Sequence, residues 1–202
     1  MIQALSEDLR NKISAGEVVE NPASVIKELI ENSLDAYASE IIIIVEKGGH
    51  NIIQVRDNGS GISSKDLPAS ILRFHTSKIT TVSDLFAIST LGFRGEALAS
   101  IASVSEMKVI SSIGEDEGAS ISIVNGETGD IEPAPRIQGT EITIRNLFYN
   151  TPVRKKFLKT PRTELRKIVD IVRRYGLAYP EVAFKLIADD RQIFNLSKEK
   201  LE

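Results

Sequence analysis

The chain has 202 residues, with 25 Lys or Arg against 28 Asp or Glu and a formal net charge of −3; 42% of the residues are hydrophobic and 26% charged. That balance fits one large domain able to bury a sizeable core without staples. With no cysteine and only two histidines, His50 and His75, a disulfide framework, a thiolate metal site and a histidine-built zinc site are excluded.

Residues 1–10 carry Glu7 and Asp8 and lack an apolar run, so they do not read as a signal peptide. Ser6 is placed to cap a short helix over residues 7–13, which Ala15-Gly16 would end. Asn21-Pro22 reads as the N-cap and first residue of a longer helix reaching about Tyr37. Residues 41–47 form a β-branched run, and their apolar core, 41–45, is far too short to span a bilayer. Turn chemistry at 48–51 leads into a returning strand over 52–57, and Asn58-Gly59-Ser60-Gly61 breaks the sheet. Short helices and loops are expected over 64–86, then a helix over about 96–102 and strands at 107–112, 119–124 and 140–145. Residues 157–175 read as mostly helical, interrupted at Pro161, and a final hairpin over 182–188 and 192–196 turns at Asp189-Asp190. A leading helix with several antiparallel strand pairs predicts an α/β (α+β) two-layer sandwich, not a doubly wound parallel sheet.

Charge is unevenly spread. Residues 154–174 hold nine Lys or Arg against two acids, Glu164 and Asp170, so the remainder carries −10. A basic segment on an acidic body is either a solvated helix face or a surface for a polyanion. No membrane attachment is expected, and a reducing intracellular compartment is the default: cytoplasmic for a bacterial source, nuclear for a eukaryotic one.

The long helix has two faces. At 100° per residue, Val25, Ile26, Leu29, Ile30, Ser33 and Tyr37 share a broad face that can pack on a sheet. Glu28, Asn32 and Asp35 form a narrow stripe opposite. The stripe is either plain solvated surface or the floor of a ligand site. In the second case the Asn32 amide oxygen suits Mg²⁺, and the Glu28 carboxylate can orient and deprotonate water. At the strand end, Asp57 followed by Gly59 and Gly61 is either a tight turn or a base pocket. There the Asp57 carboxylate would accept from the adenine amine and repel the guanine carbonyl. The glycines of Gly92-Phe93-Arg94-Gly95 flank an Arg just before a helix, where free backbone N–H groups can cradle phosphate. Neither a Walker A sequence nor G-x-G-x-x-G after a strand occurs, so any nucleotide pocket is of another type.

These residues resemble the GHKL ATPases, the superfamily of gyrase B, Hsp90, histidine kinases and MutL. The segments 28–32, 57–61, 92–95 and Gly139-Thr140 stand in that family's order. Three longer stretches, 13–22, 92–98 and 146–158, are similar to MutL-type DNA mismatch repair proteins. The resemblance runs from about residue 5 to the C-terminus. No phosphoacceptor-histidine helix precedes Asn32, and gyrase-like or Hsp90-like domains do not share residues 92–98 as written.

The resemblance implies roles. Glu28 is similar to the general base for water, Asn32 to the Mg²⁺ ligand and Asp57 to the adenine-binding carboxylate. Asn58, Gly59, Gly61 and Ile62 resemble pocket walls, and Asp35, Ala36 and Leu67 fall among the ATP-contacting positions. Thr76, Ser77, Lys78, Leu91, Gly92, Phe93, Arg94, Gly95, Glu96, Ala97 and Leu98 resemble a lid around the triphosphate, within a segment of about 70–98. Thr140 resembles the threonine behind the adenine. ATP and Mg²⁺ are the implied cofactors. The implied partners are a second copy or paralogue joined on ATP binding through an N-terminal arm at 1–20, a mismatch-recognition protein of the MutS type, and DNA bound without sequence preference. Lys159, Arg162 and Arg166 are the candidate DNA contacts. The implied function is an ATP-driven conformational and dimerisation switch coupling mismatch recognition to downstream repair; the alternative is a nucleotide-binding interaction module with little turnover. Because the family continues into a transducer subdomain and a C-terminal dimerisation domain, this chain is expected to be one subdomain with weak activity of its own.

Overall fold

Asn21 opens the first long helix, α1 (Pro22–Asp35), with its side-chain oxygen accepting from Ala23 N at 3.0 Å and Ser24 N at 3.2 Å. Ser24 Oγ answers by accepting from Asn21 N at 3.1 Å, so the otherwise orphaned N–H groups of the first turn are satisfied. Pro22 at the first position needs no N–H there. The computed structural model describes residues 3–4, 15–16, 18–79, 81, 83–84, 90–114, 117–124 and 126–198. The helix expected over 7–13, most of the arm at 1–20 and part of the lid segment lie outside the described residues. Ala15 and Gly16, expected to break that helix, are themselves helical, and Val19 N donates to Ala15 O at 2.8 Å.

The strands are β1 (Glu40–Glu46), β2 (Ile52–Asp57), β3 (Glu106–Ser112), β4 (Ala119–Val124), β5 (Glu127–Thr128), β6 (Glu132–Pro133), β7 (Gly139–Arg145), β8 (Ala183–Ala188) and β9 (Arg191–Leu196). They form one sheet in the order β5-β4-β3-β7-β2-β1-β8-β9, with β6 pairing β4. Every described pairing is antiparallel except β1 with β8. The sequence pattern missed β5 and β6, whose two-residue length leaves no alternation to read.

Two further short helices, α2 (Leu67–Ser70) and α3 (Ala97–Ala102), border the ends of the central strands, and α4 (Pro152–Phe157) precedes the long α5 (Pro161–Ala178). Helix α1 contacts β1, β2 and α5, and α5 reaches on to β8, so both long helices lie on one sheet face. Alternation does the rest. Ile41, Ile43 and Val45 of β1 and Ile53 and Val55 of β2 are buried on that face, against Val25, Ile26, Leu29 and Ile30 of α1. On the opposite face Gln54 Nε2 donates to Glu141 Oε1 at 3.0 Å and to Thr143 Oγ1 at 2.8 Å, and Arg56 pairs with Glu141 at 2.8 Å. One apolar face covered by helices and one polar face is the two-layer sandwich expected from the sequence. Among the described residues, no helix is long and apolar enough to cross a membrane.

Two helix boundaries differ from expectation. Helix α1 ends at Asp35, because Tyr37 takes a left-handed φ of 57°, and its side chain is 91% exposed instead of packing on the sheet. Phe157 ends the separate helix α4, and Leu158 turns extended (φ −56°, ψ 136°) before Thr160 caps α5. Buried Glu164, 1% exposed, holds this junction: its Oε1 accepts from Lys159 N at 2.9 Å, and both oxygens contact Lys167 Nζ at 3.1 Å.

Fully buried Phe184 sits on β8 with its ring 3.8 Å from where a Cβ on Gly176 of α5 would stand. Phe184→Ala is expected to lower unfolding stability by about 3–5 kcal/mol through lost burial and a residual cavity. Urea melts should show a lower midpoint with an unchanged slope.

Candidate functional site

A cavity of about 1000 Å³ opens between the polar stripe of α1, the end of β2 and the segments 74–78 and 91–98. Glu28, Asn32, Asp35, Ala36, Asp57, Gly61, Ile62, Thr76, Ser77, Lys78, Leu91, Gly92, Phe93, Arg94, Gly95, Glu96, Ala97, Leu98 and Thr140 all line it. The stripe on α1 is therefore the wall of a cleft and not plain solvated surface. It lies there because the opposite face of the same helix is held on the sheet.

Asp57 ends β2, and three donors fix its carboxylate. Oδ1 accepts from Gly59 N at 2.9 Å and Thr140 N at 3.2 Å; Oδ2 accepts from Ser33 Oγ at 2.9 Å. The following turn needs its glycines. Gly61 has φ 74°, and a Cβ there would collide with Ser112 O. Ser111 Oγ accepts from Ile62 N at 2.8 Å, donates to Gly139 O at 3.0 Å and lies 2.9 Å from Thr140 Oγ1, tying this turn to β7.

The other end of the cleft is a clasp. Asp35 Oδ1 accepts from Leu91 N at 2.9 Å, and its Oδ2 accepts from Gly92 N at 3.1 Å and from Lys78 Nζ. Lys78 Nζ also donates to Asn32 Oδ1 at 3.0 Å. Phe74 N donates to Gly95 O at 2.9 Å, and Gly95, at φ 61°, has no room for a Cβ beside His75 O. The guanidinium of Arg94 stacks over the Phe93 ring at 5.7 Å. Glu96, at the N-cap of α3, makes no side-chain cap hydrogen bond to the helix start.

Glu28 sits in a relay of charges. Lys27 Nζ donates to Glu28 Oε1 at 3.1 Å and to Glu31 Oε2 at 2.9 Å, and Tyr175 OH of α5 donates to Glu31 Oε1 at 2.6 Å. Burial alone would lower the pKa of Lys27, but Glu31 and Glu28 outweigh it and raise the pKa above its usual value. Burial, then the bond to Glu31, pushes the Tyr175 phenol up.

Two expected wall residues, Asn58 and Gly59, and one expected ATP-contacting residue, Leu67, do not line the cleft. Asn58 faces away: its Oδ1 accepts from Ser39 N and Glu40 N, both at 2.9 Å, and its Nδ2 donates to Ser39 Oγ at 3.0 Å, clipping the start of β1. Gly59 is packed against Ala36, where a Cβ would stand 2.7 Å from Ala36 O. Leu67 is fully buried in the core. Lys159, Arg162 and Arg166 lie outside the cleft, exposed on or beside α5.

Sequence reasoning missed Ser111 and Arg136, and gave Ser33 only a packing role. A polar residue on the apolar face of α1 was the available signal for Ser33. For Ser111, opposite Thr140 in the β3–β7 register, only strand pairing reveals the neighbour.

Residues 20–138 match the family model of histidine kinase-, DNA gyrase B- and HSP90-like ATPases. The chain is 50% identical over 196 residues to the DNA mismatch repair protein MutL of Streptococcus equi subsp. zooepidemicus and 52% identical over 196 residues to that of Streptococcus pyogenes. Each alignment covers 96% of this chain but 29% of the relative, so the chain spans less than a third of those proteins. Among solved structures, the Aquifex aeolicus MutL ATPase domain complexed with ADP superposes with a TM-score of 0.73 at 35% identity, covering 91% of this chain and 66% of that one. The N-terminal domain of a DNA repair protein gives 0.77 at 28% identity, covering 92% and 55%. The chain belongs to the histidine kinase-, DNA gyrase B- and HSP90-like ATPase family, and in sequence and fold it matches the ATPase domain of MutL-type mismatch repair proteins.

Proposed function

We propose that this chain binds ATP in the α1 cleft and hydrolyses it as the switch domain of a longer mismatch repair protein. The observation that carries this reading is the convergence on one cleft of a fixed carboxylate (Asp57), a second carboxylate on the α1 stripe (Glu28), an amide oxygen (Asn32) and a glycine-flanked helix start (92–98). The ADP complex of the Aquifex aeolicus domain, which shares the fold, supports a nucleotide there.

In this mechanism the Asp57 carboxylate accepts from the amine edge of adenine, and Thr140 stands behind the base. Backbone N–H groups of 93–98 donate to phosphate oxygens at the start of α3. Glu28 orients water and takes its proton on a carboxylate oxygen. For a divalent cation the donor set fits. The oxygens of Asn32 and Asp35 already share one cation, the Lys78 ammonium. Among the described residues no group of three His, Cys, Asp or Glu could hold a metal, so Mg²⁺ would rest on Asn32 and on nucleotide oxygens. When bound, Mg²⁺ neutralises charge on the transferred phosphate.

The segment at about 70–98 acts as the lid; of its described residues, Lys78, Leu91 and Gly92 are held by Asp35. Closure of this lid, with the arm at 1–20, would present a dimerisation surface in the longer protein and couple a MutS-type partner to later repair steps. The basic segment serves DNA. Among the described residues none of Lys155, Lys156, Lys159, Arg162, Arg166 or Arg173 is paired with a carboxylate, and all are exposed. Phosphate contacts from such side chains carry no base information.

Asp57→Asn is expected to weaken ATP binding by about 1.5–3 kcal/mol; calorimetric titration giving wild-type affinity would remove Asp57 from the base pocket. Glu28→Ala should keep nucleotide affinity within a few-fold and abolish turnover in the longer protein, whereas normal turnover would place the base elsewhere. Asp35→Ala should speed amide hydrogen exchange at Leu91 and Gly92 in the nucleotide-free protein, which would stay slow if Asp35 were not the clasp. Charge reversal of Lys159 and Arg162 to Glu should weaken DNA binding at low salt and reduce its salt dependence, with ATP binding intact. Parental DNA binding by that double variant would locate the contact surface elsewhere.

A further inference from the structure

The two residues read as framing the base, Asp57 and Thr140, lie just past the end of the β2–β7 ladder, each still paired on its other side, Asp57 with Ile41 and Thr140 with Ser111. The β2–β7 register runs from Ile52↔Arg145 to Arg56↔Glu141 and goes no further. One step on, Thr140 N donates to the Asp57 side chain instead of its backbone. Gly139, at φ 123°, brings the chain so close that a Cβ would collide with Asp57 O. The backbone oxygens of Asp57 and Thr140 are bridged by the guanidinium of Arg136: Nη2 donates to Asp57 O at 2.8 Å and to Thr140 O at 2.9 Å.

That guanidinium is well anchored. Its side chain is 14% exposed, and Nη1 lies 3.7 Å from Glu141 Oε2, the oxygen that also holds Arg56 at 2.8 Å. Arg136 does not line the cleft. Its reach to the ligand is therefore indirect, through the backbone that aims the Asp57 carboxylate and seats Thr140. Both bonds come from one nitrogen, whose two N–H groups are fixed in the guanidinium plane and so hold the two carbonyls in a set arrangement; a lysine ammonium on a flexible stem has no such fixed pair.

Resting on the assignment of Asp57 as the base-recognition carboxylate, we infer that Arg136 is a positioning residue for base recognition: it staples the open ends of β2 and β7 so that Asp57 meets the exocyclic amine of the purine. Loss of the staple lets the carboxylate drift, and a hydrogen bond that depends on direction suffers more than phosphate contacts made at the other end of the cleft.

The test compares binding of ATP with that of purine riboside triphosphate, which lacks only the exocyclic amine, in wild type, Arg136→Met and Arg136→Lys. The wild-type chain should prefer ATP by about tenfold or more, the scale of a hydrogen bond to a charged group. Arg136→Met should bring that ratio close to one, chiefly by weakening ATP, and Arg136→Lys should fall between. A residue that only stabilised the fold would lower the melting temperature or weaken both ligands alike, leaving the ratio unchanged. A wild-type ratio near one would overturn the base-recognition reading of Asp57 and this inference with it. A strong wild-type preference that Arg136→Met retains would overturn this inference alone. If Arg136→Met does not fold, Arg136→Lys decides: folded protein with the wild-type ratio refutes the staple.

Discussion

The cleft depends on how one carboxylate is held. Asp57 is the last residue of β2, and its side chain takes donors from three parts of the chain: Ser33 of α1, Gly59 of the next turn and Thr140 of β7. A carboxylate with two oxygens can satisfy several N–H and O–H groups at once, and each donor here is fixed by a different element. Helix, strand end and turn are thereby brought into one arrangement, and the cleft is the space this arrangement leaves beside Asp57. A carboxylate fixed from three sides is also a pre-aimed acceptor, since little ordering remains when a ligand donor arrives.

Helix α1 makes that possible because its faces do opposite work. Val25, Ile26, Leu29 and Ile30 bury against β1 and β2, which fixes the helix in rotation. Glu28, Asn32 and Asp35 are thereby placed along the cleft, where Lys27, Lys78 and the amides of Leu91 and Gly92 hold them. Ser33 is the exception that joins the faces: buried at 3% exposure, it donates to Leu29 O and to Asp57. Its hydroxyl shares one proton between the helix backbone and the site. The Tyr175–Glu31–Lys27–Glu28 relay adds a lateral tie from α5, so the helix that carries the basic surface touches the residue chain that holds Glu28.

The clasp at Asp35 is a different kind of contact. Its partners are two backbone amides and one flexible ammonium, from Leu91, Gly92 and Lys78, which line the cleft opposite α1. These bonds are few and lie outside the apolar core, the kind of contact that opens at low cost relative to global unfolding. A ligand bringing its own cation and oxygens to Asn32 competes directly with Lys78. On the proposed nucleotide reading, rigid contacts at Asp57 and exchangeable contacts at Asp35 would suit a site that recognises first and rearranges afterwards.

The sequence alone determined the strands with clear alternation, the cap at Asn21-Pro22, and the stripe Glu28, Asn32, Asp35, because these depend on neighbours within one or two turns. The glycines of 59–61 and 92–95 were legible as turn residues, and Gly61 and Gly95 take positive φ; the groups that crowd them, Ser112 O and His75 O, are set by the fold. The resemblance to MutL-type proteins was carried by long contiguous stretches and is matched by the relatives and the fold. What lay beyond reach was any role set by partners distant in the chain. Asn58 reads as a pocket wall beside Asp57, yet it clips β1; Leu67 reads as a contact, yet it is core. Ser111 and Arg136 carry no local signature at all. Their importance comes from the β3–β7 register and from the open end of the β2–β7 ladder. Tertiary structure decided these positions because a hydrogen bond is defined by distance and direction in space, and sequence separations of 79 residues, as between Arg136 and Asp57, hold no information about either until the sheet has formed.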